Sequence, residues 1–147
     1  MQELFVDKPD DLIRLCEQLK GSEWLALDTE FIREKTYYPR LCLIQICNGE
    51  VAACVDPLKL GDLGPLLDIL YDGSILKVLH AARQDLEIFL HDHQRIPMPV
   101  FDTQPAAALT AMSGLSESYL IEKMVGAVVA ELIIICATHR KESRGLH

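Results

Sequence analysis

The spacing of apolar positions along this chain changes repeatedly, and each change marks an element. After Pro9-Asp10-Asp11, the residues Leu12, Ile13, Leu15, Cys16 and Leu19 recur at helical spacing. They predict an acid-capped amphipathic helix, stopped by Lys20-Gly21-Ser22. Residues 24–31 predict a first strand, and the polar stretch 33–40, which holds Pro39, a loop. Residues 41–47 and 51–55 read as two strands joined by Asn48-Gly49, a strong hairpin signal. A helix follows over 63–71, a turn at Asp72-Gly73 and a fourth strand over 75–79. Residues 81–91 predict a helix with Leu86, Phe89 and Leu90 on its apolar face. After the loop at 97–99 come a short strand over 100–102 and a helix over 105–112, with proline in its first turn.

This order, one helix, three strands, then helices alternating with strands, predicts a mixed α/β sheet. The antiparallel meander comes first, and the later helical crossovers demand parallel neighbours. No internal repeat or linker interrupts it, and the chain of 147 residues has the length of one domain. The final residues, 138–147, are polar and expected to be loose.

Composition alters this picture at three points. The net charge of −8 argues against a protein that grips nucleic acid mainly through phosphate contacts, while leaving room for one that neutralises phosphate locally with metal ions. The five cysteines are odd in number and form no C-x-x-C pair, so they read as buried free thiols in a reducing compartment. The N-terminus shows no leader pattern, and the longest apolar run, 124–137, is too short to span a bilayer. A soluble, cytoplasmic protein with no membrane partner is the expectation.

Candidate chemistry begins with Asp28 and Glu30. If residues 24–31 form a strand, the two carboxylates leave the same face of the sheet, where their repulsion calls for a positive partner such as a divalent metal. Acid pairs at this spacing also commonly cap strands or face solvent, so the pair alone decides little. Three further features accompany it: His80-Ala-Ala-Arg-Gln-Asp85 at a helix start, Thr36-Tyr37-Tyr38-Pro39 with Gln45, and Phe101-Asp102-Thr103-Gln104 at a strand end. Asp85 by itself could be no more than a favourable partner for the helix dipole.

Together these blocks are far more specific. Asp28-Thr-Glu-Phe31 with Arg33, Thr36-Tyr-Tyr-Pro39 and Leu43-Ile-Gln45, then Lys77-Val-Leu-His80 with Asp85-Leu-Glu87, then Phe101-Asp-Thr-Gln104, closely resemble the ribonuclease D family over roughly residues 1–126. That family belongs to the DEDD 3′–5′ exonucleases. The resemblance implies a ribonuclease-H-like fold, with an antiparallel three-strand meander plus parallel strands, flanked by helices and incomplete at its C-terminal end. It implies that Asp28, Glu30 and Asp85 are the catalytic, metal-holding carboxylates, with two Mg²⁺ or Mn²⁺ ions in the family. It places Thr29, Phe31 and His80 near the terminal nucleotide, and gives Tyr37, Tyr38 and Gln45 architectural or rim roles. The implied partner is nucleic acid, an RNA 3′ end, as in tRNA-precursor processing; the oligomeric state stays open.

The sequence departs from the family in its third motif, a tyrosine followed four residues later by the fourth acidic ligand. No Tyr-x-x-x-Asp occurs here, and Tyr119-Leu-Ile-Glu-Lys123 carries lysine at the decisive position. From residue 127 the run Ala127-Val-Val-Ala-Glu-Leu-Ile-Ile-Ile-Cys136 does not continue the family pattern. The expected organisation is therefore a partial exonuclease domain over 1–126 and a divergent tail over 127–147, from truncation, frame shift or genuine divergence. Three carboxylates would hold one metal and a second only weakly, so activity is expected to be reduced or lost. The alternatives are an inactive remnant that still binds metal or nucleic acid, and an unrelated metal phosphohydrolase using Asp-x-Glu.

Overall fold

A computed structural model describes residues 1–33 and 38–106 of the chain. Strand β1 (Gln2–Val6) leads to helix α1 (Pro9–Leu19), then to β2 (Trp24–Ile32), β3 (Arg40–Cys47) and β4 (Val51–Val55). The short α2 (Pro57–Leu60) and α3 (Gly64–Leu70) precede β5 (Leu76–Leu79), α4 (Arg83–His93) and β6 (Val100–Asp102). The strands form one six-stranded sheet in the order β1-β4-β3-β2-β5-β6. β3 is antiparallel to both its neighbours, whereas the β1–β4, β2–β5 and β5–β6 pairs are parallel. The mixed sheet flanked by helices, with its antiparallel meander, is therefore present as the sequence implies.

Two elements were not read from the sequence. β1 adds an edge strand, parallel to β4 from Gln2 opposite Val51 to Val6 opposite Val55. Its signal is short, and Phe5 is exposed while only Val6 is fully buried, so periodicity alone does not raise it above a loop. α2 is a single turn whose start is fixed by Asp56, which accepts from Leu58 N at 3.0 Å and Lys59 N at 3.2 Å. One expected detail also changes. Lys8, not an acid, occupies the N-cap of α1 and makes no side-chain cap; Asp10 and Asp11 sit in the first turn, where they favour the helix dipole.

Helix α1 buries Leu12, Leu15, Cys16 and Leu19, the stripe its spacing predicts. These residues join Leu66, Ile69 and Leu70 of α3 and Ile88 and Phe89 of α4 in one core. The sheet contributes Leu25, Leu27, Ile44, Ile46, Ala53 and Val55 to it, every second residue of the central strands. The other face carries a smaller apolar cluster of Ala26, Cys47, Ala52 and Cys54, with Trp24 and Leu43 against it. The β3–β4 turn is held by Asn48, whose Oδ1 accepts from Glu50 N and Val51 N at 3.0 and 2.9 Å. Gly49 follows at φ +91°, a conformation that side chains resist.

The core also contains a fully buried cation. Lys77 Nζ donates to the carbonyl oxygens of Asp72 and Met98 at 2.8 Å and of Ile75 at 2.5 Å. All three ammonium hydrogens thus have acceptors, and the lysine ties β5 to the turn before it and to the segment leading into β6. Burial lowers its pKa from the ordinary lysine value. Among the described residues no helix is long and apolar enough to cross a membrane. The helix expected over residues 105–112 is described only to residue 106, and residues 127–147 lie outside the described residues.

Two outcomes follow from this packing. Lys77→Met should lower stability in urea unfolding by about 1–3 kcal/mol, because it strips one buried and two partly buried carbonyl oxygens of their donor. The Cys16 thiol is buried and pushed up to about 11 by that burial, so in the folded protein at pH 8 it should resist iodoacetamide while half-buried Cys42 labels first. Peptide mass mapping of the two sites checks this.

Candidate active site

Strand β2 places the acid pair as its alternation requires. Leu25, Leu27 and Thr29 turn toward the helices, so Asp28 and Glu30 turn to the opposite face, where Asp28 is exposed and Glu30 half-buried. β3 runs alongside, with Gln45 opposite Asp28 and Leu43 opposite Glu30. Just beyond, between Glu30 and Phe31, the register shifts. The bulge turns Phe31 and Leu41 into contact with the main core, where Phe31 is partly buried.

Asp85 reaches this strand from α4. β5 pairs with β2 only from Trp24 to Ala26, so farther along β2 that ladder edge has no strand partner among the described residues. Beyond that pairing the backbone N–H of Thr29 donates to Asp85 Oδ1 at 3.0 Å, and Thr29 Oγ1 donates to the same oxygen at 2.5 Å. The Asp85 carboxylate takes the place a neighbouring strand's carbonyl would hold. It is 7% exposed. Burial raises its pKa above the ordinary aspartate value and the nearby charge of Glu30 adds to this, while the Thr29 bonds pull the other way.

The start of α4 is positioned by a residue to which sequence reasoning gave no role. Asp102, at the end of β6, accepts from Ala81 N at 3.0 Å and Gln104 N at 3.0 Å through Oδ1, and from Ala82 N at 2.9 Å through Oδ2. Ala81 has φ +56°, so this carboxylate holds a turn that alanine disfavours. The strand-end acid of Phe101-Asp-Thr-Gln104 was visible; its partners, twenty residues upstream, were not. The same segment anchors His80, whose Nδ1 is hydrogen-bonded to Thr103 Oγ1 at 2.9 Å. Tyr38 lies on the outer side of α4, stacked on His91 with ring centroids 3.8 Å apart and planes 9° from parallel. Thr36 and Tyr37 lie outside the described residues.

Asp85 is thus bonded to Thr29, and the charge of Glu30 is felt at its carboxyl. As hard oxygen donors, the carboxylates of Asp28, Glu30 and Asp85 are of the kind that Mg²⁺ or Mn²⁺ takes. The set fits in kind, without a closed arrangement: among the described residues no three His, Cys, Asp or Glu side chains are disposed to hold a metal ion. Both Thr29 bonds keep Asp85 Oδ1 on the strand.

Known proteins share this architecture. A family model described as 3′-5′ exonuclease matches residues 4–143. Ribonuclease D of Zymomonas mobilis is 50% identical over 115 residues, 76% of this chain and 30% of that protein. Ribonuclease D of Escherichia coli is 50% identical over 99 residues, 67% of this chain and 26% of that protein. The crystal structure of Escherichia coli ribonuclease D, an exoribonuclease involved in structured RNA processing, matches with a TM-score of 0.70 at 41% identity, covering 86% of this chain and 34% of that one. This chain therefore spans about a third of the length of these relatives. With a family match across nearly the whole sequence, on a mixed sheet that carries the acid pair late in β2, the chain belongs to the 3′-5′ exonuclease family, in its ribonuclease D group.

Proposed function

We propose that this chain is a metal-dependent 3′–5′ exonuclease of the ribonuclease D type that acts on RNA 3′ ends, including those of tRNA precursors, in the cytoplasm. The observation that supports this reading is the meeting of two separate sequence blocks, where Asp85 is hydrogen-bonded to Thr29, the residue between Asp28 and Glu30 in the sequence of β2. Exonucleases of this kind are metal-dependent. Asp28, Glu30 and Asp85 are the residues to hold Mg²⁺ or Mn²⁺, which when bound makes water more acidic and neutralises charge on the phosphate.

The remaining work falls to the protein. Thr29 fixes the orientation of Asp85, Asp102 fixes the helix start that carries it, and the exposed Asp28 offers its carboxylate from the strand. His80, exposed and held by Thr103, is a candidate contact for the terminal nucleotide, together with Thr29 and Phe31. The carboxylates face an anionic substrate, so a chain of net charge −8 needs the cation to bring phosphate close.

The exonuclease domain is taken as residues 1–126, with 127–147 as a divergent tail. The absence of any Tyr-x-x-x-Asp in this sequence favours reduced turnover, and in the extreme an inactive remnant that still binds metal. Assayed on a 3′-labelled RNA oligonucleotide with Mg²⁺, this chain should shorten the RNA from its 3′ end at about 10²–10⁴-fold below a version extended through a third motif. Asp28→Ala should abolish what remains. Metal binding by calorimetry without any turnover would instead identify the remnant.

Thr29→Val provides a second test. It removes the hydroxyl donor to Asp85 while keeping the backbone bond, and should weaken Mn²⁺ binding by about 10–100-fold, read by calorimetry. Unchanged affinity would separate Asp85 from the metal seat.

A further inference from the structure

Near the acids lies a surface that the site above does not use. An open groove of about 700 Å³ runs between α4 and the segment that joins β2 to β3. Glu87, Leu90, His91 and Gln94 form its helical wall, at a spacing that puts four side chains on one face. Arg33, just after β2, and Tyr38, just before β3, form the other wall. The Tyr38 ring crosses to stack on His91, with centroids 3.8 Å apart and planes 9° from parallel. Tyr38 is nevertheless 53% exposed, and Leu90 47%. An aromatic pair that served packing alone belongs in a core. This one borders an opening large enough for a small ligand. The Arg33 guanidinium has no ion pair among the described residues, whereas Glu87 accepts from Arg83 Nε at 3.1 Å.

We infer that this groove holds single-stranded RNA upstream of its 3′ end, with a base against the Tyr38–His91 pair and a phosphate on Arg33. The inference deepens the exonuclease reading above and rests on it, because that reading supplies the RNA. Both walls lead back to the acids. Arg33 follows Glu30 by three residues and His91 follows Asp85 by six on α4, so the groove begins about 10 Å from them. A strand whose last nucleotide sat at the acids would bring its preceding nucleotides here. Every base has a π-face, so stacking on aromatic side chains holds a single strand without reading its sequence. The guanidinium supplies a phosphate contact, which on a chain of net charge −8 has to be local.

The test is fluorescence anisotropy of a labelled oligouridine of about twelve nucleotides with the full 147-residue chain. Phosphorothioate linkages at its 3′ end keep the probe intact in Mg²⁺. Tyr38→Ala should weaken binding about 10–100-fold, while Tyr38→Phe, which keeps the ring, should stay within about twofold of the unaltered chain. Arg33→Gln should also weaken binding, and should lower the slope of log Kd against log salt by about 0.7, the loss of one phosphate contact. Full affinity in Tyr38→Ala, or an equal loss in Tyr38→Phe, overturns the inference and leaves the exonuclease reading standing. If Tyr38→Ala also melts at a lower temperature, the salt slope of Arg33→Gln decides, and an unchanged slope overturns the inference. If the unaltered chain neither binds the probe nor shortens unprotected RNA, the exonuclease reading falls, and this inference with it.

Discussion

The site is organised by one pair of hydrogen bonds, from the backbone N–H and the hydroxyl of Thr29 to a single oxygen of Asp85. β5 stops pairing with β2 after Ala26, and an unpaired ladder N–H inside a protein must find an acceptor. A carboxylate from the next helix supplies it. The geometry of the sheet therefore draws the third acid to the strand that already carries two. The same solution makes Asp85 depend on the start of α4, and that start depends on Asp102.

This arrangement places like charges together on an already acidic protein. Burial and the charge of Glu30 both disfavour ionised Asp85, while the two Thr29 donors favour it.

The elements that carry the acids were legible because they are central. β2, β3 and β4 lie inside the sheet, so their apolar alternation is strong, and Asn48-Gly49 announces the turn between two of them. β1 was not read because an edge strand of five residues with Phe5 exposed leaves almost no pattern. α2 is held by one capping aspartate and a single turn, too short for periodicity to detect. Lys77 reads as an ordinary polar residue inside a strand; only the approach of Met98 and Asp72 shows that its ammonium is fully caged.

The sequence by itself determined the acid pair's common face, the helix start that bears Asp85, and the family to which these blocks belong. Those are local matters, set by a two-residue strand period and by motif spacing. The tertiary structure decided which acid meets which donor. Thr29 and Asp85 are 56 residues apart, and Asp102 and Ala81 are 21 apart, so no local pattern links them. Whether a polar side chain is satisfied depends on everything packed around it. That is why Gln45 passed as architectural in the sequence and stands out, with its buried amide nitrogen unpaired, only in the folded chain.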